Sequence, residues 1–210
     1  IDGTTEILGA LAAGAPVVVA DDDAARDASA LIDLAARHSV DQITAVPSLA
    51  RAMVDVAAAG EACSIGRWIV SGEPLPATTA TRLVSTADTV INSYGSSEVA
   101  GDVTTETITK SAGPITVGAP VPGADVVVLD RHLHPVSAGR PGEVYVTGVQ
   151  LARGYHGHSD WTATRFVANP DGTGGRMYRT GDRGIIGADG ALRLLGRSDS
   201  QVKIRGVRAV

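Results

Sequence analysis

Cysteine is nearly missing from this chain. With Cys63 alone no internal disulfide can form, and its loop-like surroundings offer no histidine partner, so a thiol nucleophile is not expected. Lysine is almost as scarce. Lys110 and Lys203 are the only two, and a net charge of −5 leaves no basic footprint for nucleic acid. Aromatic residues make up 3%, against 25 glycines, so the core must pack in layers of small Ala, Gly and Val side chains. No apolar run approaches the roughly 20 residues of a membrane span, and no signal-peptide pattern is visible. A cytoplasmic setting fits these absences. An initiating Met is missing too, and both ends of the 210 residues fall inside apparent structure. The expectation is a piece of a longer polypeptide.

What is present alternates in type over residues 1–104. Helical spacing runs from Thr5 to Ala13, and Pro16 to Ala20 reads as a buried strand. Asp22 or Asp23 offers a cap for a helix through His38, whose Ala28, Leu31, Ile32, Leu34 and Ala35 recur at helical spacing. The run Asp21-Asp22-Asp23 is read as that solvated cap rather than as a metal site. A strand at Gln42 to Val46 follows, then a helix from Ser48 to about Ala58, a strand at Arg67 to Ser71 and a helix from Pro76 to Thr86. Asp88 to Ile91 reads as the last strand. The fold class is therefore α/β, with a parallel sheet and right-handed crossovers. Ligands of such sheets collect beyond the carboxyl ends of the strands.

From about Thr105 the pattern changes. Thr105 to Gly113 looks like a linker, and β-rich runs then dominate to Leu195, among them Ala124 to Leu129, Gly142 to Thr147 and Leu192 to Leu195. Pro122-Gly123, Arg140-Pro141-Gly142 and Ala188-Asp189-Gly190 mark the turns between them. Trp161 to Phe166 reads as a short interrupting helix. Residues 105–198 thus form a small β-barrel-like subdomain, and residues 199–210 open a further, truncated one. His132 with His134, and His156 with His158, have alternate spacing but no third ligand, so zinc is not expected.

The densest chemistry follows the strand ending at Ile91. Asn92-Ser93-Tyr94-Gly95-Ser96-Ser97-Glu98 offers a ring, a close-approach glycine, hydroxyls and a carboxylate. That inventory suits a nucleoside triphosphate: an aromatic face for a base, small donors for phosphate oxygens, and an acid for magnesium. Tyr178-Arg179-Thr180-Gly181-Asp182 and the run Gly196 to Gly206 follow downstream.

These words, with Gly142 to Val146 and Leu151-Ala152-Arg153-Gly154-Tyr155, resemble the adenylation domain of nonribosomal peptide synthetases, within the wider adenylate-forming superfamily. Weaker agreement at Glu6 to Ala15 and at Gly72-Glu73 carries the resemblance across the chain. It implies that Tyr94 stacks on adenine, that Asn92 bonds the exocyclic amine, and that Gly72, Glu73, Pro74, Ser93, Gly95 and Ser96 lie along the nucleotide. Ser97 would meet the α-phosphate, with Glu98 as the magnesium ligand, these two being the catalytic pair. Asp182 would accept hydrogen bonds from both ribose hydroxyls, an assignment weighed against a turn-capping aspartate. Arg197 and Lys203 would lie near the nucleotide, and Asp199 would be the hinge of the following subdomain. Where the family often carries an aromatic, Leu194 stands instead, and Ser96 replaces the more usual proline.

The resemblance also places the acyl pocket at Ile1 to Thr5, Thr44, Ile69, Ser71, Ser93, Gly101 and Asp102. Counting back from Glu6 puts either Ile1 or Asp2 at the position that anchors an α-ammonium group: an aspartate would keep an amino acid, an isoleucine a hydroxy or aryl acid. The family's phosphate-binding loop and catalytic lysine fall outside the chain. The implied activity joins a small carboxylic acid, an amino acid by preference, to ATP with Mg2+, and passes the acyl group from AMP to a phosphopantetheine thiol on a carrier-protein partner. Neither nucleic acid nor membrane is implied. An acyl-CoA or aryl-acid ligase and a non-catalytic nucleotide or carrier-protein binding module are the alternatives.

Overall fold

A computed structural model describes residues 2–60, 65–109, 113–172, 174–198, 202–204 and 207–209. Ile1, Cys63, Lys110 and Asp199 lie outside these. The chain divides into two compact units. One takes in the described residues of Ile1–Asn92, Thr107–Ile115 and Lys203–Val207; the other takes in those of Ser93–Glu106, Thr116–Val202 and Arg208–Val210.

The first unit is α/β. Helix α1 (Asp2–Ala12) is followed by a 3-10 turn at Ala24–Arg26, then α2 (Ala28–His38), β1 (Gln42–Ala45), α3 (Pro47–Ala59), β2 (Arg67–Val70), α4 (Ala77–Thr86) and β3 (Thr89–Ser96). β1, β2 and β3 pair in parallel, with Thr44 opposite Ile69 and Ile69 opposite Ile91. Their apolar faces and α2 to α4 enclose Trp68, Val70, Met53, Leu83 and Val90, all at most 2% exposed.

Three local expectations fail here. Pro16 to Ala20 is not a strand: it has no regular structure, and Val17 and Val19 are 38% and 79% exposed. A valine run becomes a strand only where a neighbouring ladder takes up its backbone groups, and none of the described strands does so. The cap of α2 is neither Asp22 nor Asp23 but Asp27, whose side chain accepts from Ser29 N. Asp21 instead closes the preceding 3-10 turn, accepting from Ala24 N at 2.8 Å. Finally, β3 does not stop at Ile91 but continues through Ser96.

In the second unit, β4 (Gly101–Ile108) occupies the start of what reads in sequence as a linker, and pairs antiparallel with β5 (Ala119–Pro120). A second, curled antiparallel sheet has the order β10-β9-β7-β6, from β6 (Ala124–Leu129), β7 (Gly142–Gly148), β9 (Arg176–Ile186) and β10 (Leu192–Arg197). α5 (Ser159–Arg165) and β8 (Phe166–Ala168) attach to it, β8 along β9. Val103, Val144, Val146, Met177 and Leu192 are at most 1% exposed at its core. β11 (Val202–Ile204) and β12 (Val207–Ala209) form a separate two-stranded sheet. No helix among the described residues is long and apolar enough to cross a membrane.

Candidate functional site

The second unit gathers two of the sequence words around one carboxylate. Asp182 lies on β9 and is a cross-strand partner of Arg197 on β10. It is therefore a strand residue, not the cap of a turn. Arg197 Nη1 donates to Asp182 Oδ1 at 2.7 Å, and its Nη2 donates to the Thr180 carbonyl at 3.1 Å. From β3, the Tyr94 hydroxyl donates to Asp182 Oδ2 at 2.6 Å. Thr180 Oγ1 receives Asp182 N–H at 2.9 Å and itself donates to the Val144 carbonyl at 2.8 Å. The backbone of Ser198 closes on the Gly181 carbonyl at 2.8 Å.

Each member depends on the others. The Asp182 and Arg197 side chains are 17% and 19% exposed, a setting in which ion pairs are screened little. Burial, and after it the charge of Asp182, pushes the Tyr94 phenol well above its ordinary pKa, so it stays a donor at neutral pH. Two donors use two of the roughly four lone-pair sites of the Asp182 carboxylate. The remaining acceptor capacity suits a pair of hydroxyls.

A second carboxylate, Glu98, sits in the 3-10 turn Ser97–Val99 that ends β3 and is 4% exposed. Tyr155 donates to its Oε1 at 2.8 Å. Ala100, with φ 58°, then turns the chain into β4. Of the hydroxyls in the same word, Ser97 is exposed, whereas Ser96 Oγ is buried and has no partner among the described residues. Asn92 and Ser93 are buried. A Cβ on Gly95 would fall on the Gly101 carbonyl and the Asp102 Cα, so the backbone of β4 already accounts for glycine there.

Asp102 is a half-buried residue of β4, and its carbonyl accepts from Gln150 Nε2 at 3.3 Å. In the first unit, Thr44 and Ile69 are half-buried neighbours on β1 and β2, and Ser71 is buried just past β2. Gly72 follows with φ 87°. Glu73 Oε2 accepts from Ser48 N–H at 3.2 Å. It thereby serves the first turn of α3, whose own N-cap, Val46, supplies no side-chain bond. Pro74 and Thr5 are exposed. Asp2 opens α1 and Lys203 lies on β11.

Magnesium can be held by one or two carboxylates with phosphate oxygens completing the shell. No cluster of three or more His, Cys, Asp or Glu able to hold a metal occurs among the described residues. A single carboxylate such as Glu98 would suit that mode if phosphate oxygens supplied the rest. His132 and His134 do not form a metal pair on a strand; their backbone N–H groups both donate to Asp130 Oδ1 in an exposed turn.

Two participants escaped sequence reasoning. Thr180 entered only as part of a word. Tyr155 entered only as the last letter of another, 57 residues from the glutamate it meets. The signal for Tyr155 was its place after a glycine with φ 145°, which only the folded loop reveals.

A family model described as AMP-binding enzyme matches residues 2–156. The phosphinothricin tripeptide synthetase PhsB of Streptomyces viridochromogenes is 41% identical over 206 residues, covering 97% of this chain and 17% of the relative. Among solved structures, holo-AB3403, a four-domain nonribosomal peptide synthetase bound to AMP and glycine, is 30% identical with TM-score 0.82, over 93% of this chain and 15% of that one. Holo-PA1221, which contains adenylation and PCP domains and is bound to a vinylsulfonamide inhibitor, is 28% identical with TM-score 0.77, over 87% of this chain and 33% of that one.

Proposed function

This chain belongs to the AMP-binding enzyme family, and we propose that it supplies nucleotide-holding machinery to an ATP-dependent adenylating domain in nonribosomal peptide synthesis. The observation that carries the reading is Asp182, oriented by Tyr94 and Arg197 with acceptor capacity left over. In this reading Asp182 accepts from both ribose hydroxyls, the Tyr94 ring lies against adenine, and Asn92 accepts from the exocyclic amine. Ser97 donates to the α-phosphate. The resemblance further assigns Gly72, Glu73, Pro74, Ser93, Gly95, Ser96 and Lys203 to the nucleotide, and to the hinge Asp199, which lies outside the described residues.

Glu98 holds magnesium, which when bound would neutralise charge on the phosphates. The substrate carboxylate attacks the α-phosphorus; the bond to the bridging oxygen breaks and pyrophosphate leaves, giving an acyl-AMP. Positioning and electrostatic stabilisation do this work. The assignments of Asp2 (or Ile1), Thr5, Thr44, Ile69 and Ser71, and of Ser93, Gly101 and Asp102, to substrate choice rest on the resemblance. Holo-AB3403 is bound to AMP and glycine, which supports an amino acid as substrate; holo-PA1221 contains a PCP domain, which supports a carrier thiol as acceptor.

A pyrophosphate-exchange panel of carboxylic acids, run on the intact protein that carries this chain, tests the reading. Exchange dependent on one amino acid, followed by loading of a carrier protein, is the expected result. Acyl transfer to free coenzyme A, or nucleotide binding without exchange, would replace it by the ligase or the binding-module reading.

A further inference from the structure

At 4% exposure the Glu98 carboxylate depends on partners inside the protein. The segment Leu151 to Tyr155 provides them although it has no helix or strand of its own. Its Ala152 N–H donates to the Glu98 carbonyl at 2.8 Å, and its Tyr155 hydroxyl donates to Glu98 Oε1 at 2.8 Å. Backbone and side chain of one residue are thus tied to the same short stretch.

That stretch is itself held. Arg176, on β9, donates to the carbonyl oxygens of Arg153 and Ala152 at 2.9 and 3.3 Å. Tyr155 N–H donates to Thr162 Oγ1 on α5 at 2.9 Å. The Tyr155 ring meets Phe166 and Trp161 edge-on, with centroids 5.8 and 6.5 Å away. A Cβ on Gly154 would strike Thr162, so α5 closes directly on the segment. The phenol reaches Glu98 from a frame fixed by β9, α5 and β8.

We propose that Tyr155 is a positioning residue for magnesium: its hydroxyl bonds Oε1 and fixes the plane of the carboxylate that would hold the cation. The proposal rests on the reading of Glu98 as the metal ligand. Outer partners of a ligand carboxylate commonly change metal affinity by about 10- to 100-fold.

The test uses the intact protein and α,β-methylene-ATP, its Kd measured calorimetrically with and without Mg2+. The ratio of the two constants reports how far the protein engages the metal, independently of turnover. Tyr155→Phe keeps the ring and removes the donor. It should cut the metal-dependent gain by about tenfold and leave the metal-free Kd unchanged. In a Glu98→Gln background it should change nothing further. An undiminished gain in Tyr155→Phe, alongside a lost gain in Glu98→Gln, overturns the positioning role and leaves the metal assignment standing. An undiminished gain in Glu98→Gln overturns both. Titrations run below the unfolding transition of every variant, so lost stability is not mistaken for lost metal.

Discussion

Replacing Asp182 separates what that carboxylate does for the fold from what it does for a nucleotide. In the folded protein it accepts from Tyr94 and from Arg197 at 2.6 and 2.7 Å. Asp182→Ala removes both bonds at once. Breaking a buried ion pair costs about 3–5 kcal/mol, but Arg197 keeps its bond to the Thr180 carbonyl and is 19% exposed, so the cost should fall at or below the low end. Asp182→Asn keeps an acceptor for Tyr94 and should cost about 1–2 kcal/mol. Against ATP both variants should be poor. Hydrogen bonds to a charged acceptor contribute about 1.5–3 kcal/mol each. Loss of two ribose bonds with partial replacement by water then corresponds to roughly 10- to 100-fold in the ATP constant. Thermal unfolding gives the first quantity and the ATP dependence of pyrophosphate exchange the second. If the ATP KM of both variants stays at the wild-type value while that of the acyl substrate rises, Asp182 is not the ribose acceptor.

Tyr94 makes a prediction about alkaline pH. Its folded pKa is raised, so its contribution is complete below the unfolded pKa of about 10 and is lost as pH climbs through the folded value. Wild type should therefore lose stability more steeply above about pH 10 than Tyr94→Phe; parallel denaturation curves for the two proteins would contradict this linkage. Gly95→Ala should destabilise by about 1–3 kcal/mol, since its Cβ meets backbone that cannot swing aside. A chemical-denaturation midpoint equal to wild type would contradict the packing described for β4. If Asp102 lines the acyl pocket, Asp102→Asn should shift the substrate panel away from cationic or donor-rich acids, because it removes a negative charge from a half-buried position. An unchanged profile would place Asp102 outside substrate choice.

Local chemistry was legible in the chain wherever a short word could be read alone. The alternation behind β1, α3, β2 and α4, and the turn signals bounding β6, β7 and β10, follow from periodicity and from Gly and Pro. The words holding Tyr94, Glu98, Asp182 and Arg197 were visible for the same reason, each packing several unusual side chains into a few positions. Which of them meet was not. Tyr94 and Asp182 are 88 residues apart, and Tyr155 and Glu98 are 57 apart. The packing of Tyr94 against the core of the second unit and the frame around Tyr155 bring them to hydrogen-bond distance, and no local pattern encodes such contacts. The fate of Val17 and Val19 shows the same limit from the other side. Hydropathy says that a residue can be buried, but only the tertiary structure says against what, because burial and strand pairing are properties of two segments and a sequence presents them one at a time.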